Sequence, residues 1–137
     1  MPAPRASVIG LILLGLGTAG CGTAADRDRA TDVTQRFFAA VGSGDGAVAC
    51  EQLGTDTRKT LEDEERKPCR EAIGGLDLEA SDVVETEVFS TNAKADLDNG
   101  ESAFLSLTPD GWRISAVGCA PGDGPPAREP MDCELEA

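Results

Sequence analysis

The hydrophobic period of this chain changes once, near Asp82, and that change limits the folds open to it. Upstream, Val33, Phe37 and Val41 recur at i, i+4 and i+8, with Phe38 and Ala40 widening the same face. This predicts a helix from about Asp32 to Val41, capped at its start by Thr31 or Asp32 and ended by Gly42 and Gly44. Asp45 can cap a second, short helix carrying Val48, Ala49, Cys50 and Leu53, stopped by Gly54. Thr55 can cap a third, mostly polar helix to about Arg66, with Leu61 as its apolar anchor and Pro68 beyond its end. Cys69 to Ile73 can add one turn before Gly74-Gly75.

Downstream of Asp82 the period is two. Val84, Thr86 and Val88 alternate with Glu85 and Glu87, and Ala93, Ala95 and Leu97 alternate with Lys94 and Asp96. Ala103, Leu105 and Leu107 follow, and then Trp112, Ile114 and Ala116 around Arg113 and Ser115. Asn99-Gly100 is a hairpin signal that calls for φ > 0 at both turn residues, and Pro109-Asp110-Gly111 marks a second turn. Helices first and strands afterwards predict an α+β fold: N-terminal helices packed on a curved antiparallel β-meander of about four strands.

The five cysteines, Cys21, Cys50, Cys69, Cys119 and Cys133, are the second constraint. Before Cys21 stand a short n-region with Arg5, an apolar run from Ala6 to Gly17, and the small residues Thr18-Ala19-Gly20. That is the layout of a secretory signal. The run is too short, and too interrupted by Gly10, Gly15 and Gly17, for a transmembrane helix of about 20 apolar residues. Plain secretion with cleavage after Gly20 is the rival reading. With Cys directly after the small residues, the segment resembles a bacterial lipoprotein signal ending in a lipobox, although Thr18 stands where Leu is usual. The resemblance implies cleavage before Cys21 and a diacylglycerol on its sulfur. It places the chain on the outer, extracytoplasmic face of the cell membrane, held to membrane lipid through Cys21.

Parity agrees with this. Exported thiols oxidise in pairs, and lipidation of Cys21 removes the odd one. The remaining four allow three connectivities. Pairing Cys50 with Cys69 and Cys119 with Cys133 closes short loops between neighbouring elements, each worth about 3 kcal/mol in the chain-entropy model. Zinc is the competing use, but the chain has neither a Cys-x-x-Cys pair nor any histidine. Residues 1–20 thus read as signal peptide, 21–29 as a linker after the lipidated cysteine, and 30–119 as the folded domain. Residues 120–137 read as a Pro/Gly-rich irregular tail tied back by Cys133.

Charge excludes further classes. All 25 Asp and Glu follow Cys21, whereas Arg5 precedes it, so 11 of the 12 basic residues oppose them and the segment carries −14. Nucleic-acid binders need clustered basic residues, and so does adhesion to anionic lipid.

Phe37-Phe38-Ala39-Ala40, Gly44-Asp45, Ala49-Cys50 with Leu53, and Trp112-Arg113-Ile114 leading to Gly118-Cys119 look like small actinobacterial lipoproteins with a nuclear-transport-factor-like, cone-shaped domain. The resemblance spans roughly residues 30–133 and implies a pocket between the helices and the concave sheet face. Phe37, Phe38, Trp112 and Ile114 are its candidate lining. Each has a plainer role as core, and of the adjacent phenylalanines Phe38 is favoured to reach a cavity or a partner surface. One fold hosts many functions, so no reaction follows from it.

Acid–base catalysis near neutral pH most often recruits His, and the isomerase solution within that superfamily needs Tyr; the chain has neither. With 25 acids some carboxylate pair is always available, which makes such pairs uninformative. The Asp96-Leu97-Asp98-Asn99-Gly100 run departs from a calcium loop by placing Gly one position early and fits a hairpin better. Glu62-Asp63-Glu64-Glu65 reads as a solvated helix face. The sequence therefore predicts a non-catalytic binding or interaction module without cofactor or metal. Its partner would be an envelope protein; a carrier or sensor of a small apolar ligand is the alternative, and a divergent hydrolase or isomerase comes last.

Overall fold

The computed structural model describes residues 21–122 and 131–137; the segment read as a signal peptide lies outside them. Four helices precede a five-stranded antiparallel sheet, so the fold is α+β.

Helix α1 (Cys21–Ser43) carries the longest apolar stripe, with Ala30, Val33, Thr34, Phe37 and Phe38 all buried at i, i+3, i+4, i+7 and i+8. It is longer than its periodicity predicts. The stretch 21–29, read as linker, is helical, and Thr31 and Asp32 sit inside the helix rather than at its cap. Two causes are visible. Residues Gly22–Arg29 contain no proline, and Asp26 is held by the Trp112 indole N–H at 3.4 Å, which docks the first turns on the sheet. Thr31 turns its hydroxyl back to the Arg27 carbonyl at 2.8 Å and lies 2.8 Å from the Thr86 hydroxyl on the first strand.

The remaining helices are short. Helix α2 (Gly46–Gln52) is capped by Asp45, whose carboxylate accepts the Val48 N–H at 3.1 Å. Helix α3 (Thr55–Glu65) begins from Gly54, not from a Thr55 side-chain cap, and closes on Arg66 in the left-handed region at φ 54°. Its Leu61 is fully buried, as is Thr57, whose hydroxyl donates to the Ser115 carbonyl at 3.2 Å. Helix α4 (Cys69–Ala72) runs into a 3-10 turn over Ile73–Gly75. Glu62 accepts the Cys69 N–H at 2.9 Å, so one member of the acidic run caps the next helix. Asp63 pairs with Lys59 at 3.3 Å on the open surface.

The strands are β1 (Val83–Phe89), β2 (Asn92–Leu97), β3 (Ser102–Thr108), β4 (Gly111–Cys119) and β5 (Leu135–Glu136), hydrogen-bonded in that order. Alternation holds best on β2, where Ala93, Ala95 and Leu97 all face the core. It fails on Val84, which is 65% exposed because the β1–β2 register shifts between Val83 and Glu85. It fails again on Leu107, 43% exposed near the end of β3. Between β2 and β3, Gly100 alone takes positive φ, at 87°. Its N–H returns to the Leu97 carbonyl at 3.1 Å and Leu97 N–H reaches Glu101 at 2.9 Å, so the connection is a three-residue turn with a bulge. That differs from the two-residue form suggested by Asn99-Gly100.

The described part of the tail is ordered against the sheet. Ala120 and Asp132 exchange backbone hydrogen bonds at 2.8 and 3.1 Å, and β5 pairs with Ala116 and Val117. This fifth strand replaces the irregular end expected over 131–137. Gly118 makes it possible: it sits at φ +64°, and a Cβ there would meet the Glu134 Cβ at 2.7 Å and Leu78 Cδ2 at 3.0 Å. Leu135 is thereby buried against the core. Disulfides Cys50–Cys69 and Cys119–Cys133 are both formed, the first joining α2 to α4 and the second joining β4 to the tail.

Two stability predictions follow from these contacts. Gly118→Ala is expected to lose about 1–3 kcal/mol from left-handed backbone strain, with crowding against Glu134 adding to it; equilibrium urea unfolding reads the loss. Replacing Cys50 and Cys69 together by alanine is expected to cost about 3 kcal/mol in the same assay, through the freed loop.

Candidate functional site

The side chains that sequence assigns to a cone pocket are packed into the core instead. Phe37 and Phe38 meet edge to face, with ring centroids 5.1 Å apart and planes at 87°. Both are buried, so adjacent positions on α1 share one broad face rather than pointing apart. Ile114 is fully buried on β4, and Trp112 is buried with its indole N–H spent on Asp26. Phe38 alone of the four reaches the wall of a cleft described here, a hollow of about 200 Å³ beside Gln35, Asp82 and Asp98. That wall is satisfied internally: Gln35 donates to Asp82 at 2.9 Å and accepts from Val83 N–H at 3.1 Å, while Asp98 accepts the Asp82 N–H at 3.1 Å. An apolar notch between α1 and the 3-10 turn, lined by Val41, Ile73, Leu76 and Leu78, measures about 150 Å³. Small-molecule sites usually begin at about 300 Å³.

The residues of the calcium-like run are committed to the hairpin. Asp96 accepts from Ser102 Oγ at 2.6 Å and pairs with Lys94 at 2.8 Å, and Asn99 accepts the Glu101 N–H at 3.0 Å. The hydrogen bonds from Lys94 and then Ser102 hold the Asp96 carboxyl below its ordinary value of 3.8, against a push upward from burial. Among the described residues no three His, Cys, Asp or Glu side chains gather as a metal ion would require.

A different group of residues was not singled out by sequence. The loop between α2 and α3 is pinned to the sheet where Gly54 N–H donates to the Ile114 carbonyl at 2.9 Å and Leu53 bridges Ile114. This junction places the first turn of α3 against the β3–β4 turn. That turn is fixed by Thr108, whose hydroxyl donates to the Gly111 carbonyl at 2.8 Å and accepts the Asp110 N–H at 3.2 Å. Between them lies a cleft of about 540 Å³ lined by Glu51, Leu53, Thr55, Arg58, Thr108, Pro109, Asp110 and Arg113. Arg58 is steadied by the Cys50 carbonyl at 2.7 Å and Arg113 by the Trp112 carbonyl at 2.8 Å. The ion pairs of the described residues are Arg29–Asp26, Lys59–Asp63 and Lys94–Asp96, so neither cleft arginine is paired with a described carboxylate. Sequence gives little warning of this, because Glu51, Arg58, Asp110 and Arg113 come from three segments that only the Gly54–Ile114 junction unites.

Comparison with protein-family models, with curated proteins and with solved structures found no match to this chain.

The Asp96 pair supplies a pH test. A carboxyl with a lowered folded pKa adds stability above its unfolded value, and that stability is lost as pH falls through the folded value. Asp96→Asn is expected to cost about 0.2–1 kcal/mol near neutral pH, since the pair is a third exposed. The gap to the unchanged chain should narrow in urea unfolding as pH falls below 3.8 and close once the lowered folded value is passed.

Proposed function

We infer that the chain is a lipid-anchored extracytoplasmic protein whose folded part is a non-catalytic binding module of the nuclear-transport-factor-like cone type. The observation that carries this reading is cysteine parity. Two disulfides consume Cys50, Cys69, Cys119 and Cys133, so of five cysteines only Cys21 remains, directly after the small residues that close the apolar leader. Bridges of this kind fit an oxidising compartment. No described helix is long and apolar enough to cross a membrane, and the segment after Gly20, at −14, is repelled overall by anionic lipid. Covalent lipid on Cys21 is then the attachment that the sequence offers.

The non-catalytic part of the reading rests on a chain without Tyr and without His, the side chain most often recruited for proton transfer near neutral pH. The apolar-carrier alternative is less well supported, because Phe37, Trp112 and Ile114 are committed to core packing.

Mass spectrometry of the protein extracted from bacterial membranes tests the anchor. The expected N-terminal peptide begins at Cys21 and carries a diacylglycerol, and Cys21→Ser abolishes incorporation of labelled palmitate. A secreted chain that begins elsewhere and carries no lipid refutes the anchor.

A further inference from the structure

We propose that the cleft between α3 and the β3–β4 turn is a recognition site for a small zwitterion of the amino-acid or short-peptide class. Arg58 and Arg113 engage its carboxylate, and Glu51 and Asp110 engage its ammonium group. The proposal rests on the binding-module reading and names the surface through which such a module would act.

The argument starts from the two arginines. A guanidinium offers five N–H donors in a planar fork suited to a carboxylate. In each case one nitrogen is spent on a main-chain carbonyl, at 2.7 Å for Arg58 and 2.8 Å for Arg113. Those bonds orient the side chains without neutralising them, which lowers the ordering cost of binding. Glu51 and Asp110 line the same cleft, yet neither forms an ion pair with either arginine. Two positive and two negative groups therefore share one cleft with their charges unspent on each other. A ligand that carries both signs can satisfy them together.

Charge and size select the class further. A chain of net charge −13 repels a simple anion at long range, whereas a zwitterion is neutral as a whole and meets the field only at contact. The volume of about 540 Å³ lies inside the usual range for small-molecule sites and accommodates more than a single residue. The walls are pinned, by the Gly54 N–H on Ile114 on one side and by the Thr108 hydroxyl across the turn on the other. The main-chain bonds of Arg58 and Arg113 hold the two guanidinium groups in place before a ligand arrives.

The test is a two-dimensional amide NMR titration of the full chain in detergent with alanine, Ala-Ala and Ala-Ala-Ala. Parallel titrations use N-acetylalanine, which lacks the ammonium, alaninamide, which lacks the carboxylate, and inorganic phosphate. Saturable shifts are expected at Gly54, Thr55, Asp110 and Arg113 for at least one of the three zwitterions. N-acetylalanine and alaninamide are each expected to bind about tenfold more weakly or worse, which is the loss of a charged hydrogen bond. Arg58→Gln and Arg113→Gln should weaken binding by a similar factor. Arg58→Lys, which keeps the charge and removes the fork on an exposed helix position, should weaken it too while the spectrum stays folded. The proposal is overturned if none of the zwitterions gives saturable shifts in a folded spectrum. It is equally overturned if N-acetylalanine or phosphate binds as well as the zwitterions, or if Arg58→Lys leaves binding unchanged. The titration needs no lipid and the lipid assay needs no ligand, so failure of the site and failure of the anchor are separately visible.

Discussion

Phe37 and Phe38 are neighbours on α1, about 100° apart around its axis, and both are buried. Helix α1 packs on α2 as well as on β1, β2 and β4, with Ala30, Val33 and Thr34 continuing the same broad face. The same core takes small residues from the sheet, Ala93 and Ala95 on β2 and Ala103 on β3, beside the larger Leu105, Trp112 and Ile114. With four phenylalanines and one tryptophan in the whole chain, Phe37, Phe38 and Trp112 supply the buried aromatic part of that core.

The rest of the helical layer joins that core through short connections. Helices α2 and α4 span seven and four residues, below the length at which a helix is stable in isolation. They persist because Cys50–Cys69 joins them, because Glu62 caps α4 from α3, and because Leu53 and Gly54 clip the α2–α3 loop to Ile114. At the other edge, Cys119–Cys133 and the close passage of Glu134 over Gly118 bring in β5. Both bridges thus tie short elements to the body of the domain, with Cys50, Cys69 and Cys119 themselves buried.

Most of this architecture was legible. The stripe Val33, Phe37 and Val41 and the alternation of Ala93, Ala95 and Leu97 follow from spacing, while the structure selects Cys50–Cys69 and Cys119–Cys133 from the three pairings that sequence allows. The first turns of α1 were hidden because the anchor there is polar, an Asp26 carboxylate on the Trp112 indole, and hydrophobic periodicity is blind to it. β5 was hidden because a two-residue strand has no period and its place depends on the absent Cβ of Gly118. The cleft was hidden for a different reason. Its four charged residues look like ordinary surface in sequence, and only the α2–α3 loop meeting β4 makes them neighbours.

The early start of α1 bears on how a tethered domain would stand on a membrane. If Cys21 carried lipid, the folded chain would follow the anchor directly, with about nine residues of helix, roughly 13 Å, between Cys21 and Ala30. A flexible linker would let such a domain wander; a helix held to Trp112 by Asp26 would keep the body near the surface. Repulsion from anionic headgroups is then the opposing force, since the domain is strongly acidic. The first turns blunt it locally, because Arg27 and Arg29 alternate with Asp26 and Asp28 and leave that end of the helix without net charge. The acids concentrate farther along the chain, where like charge disfavours close approach of one domain to another.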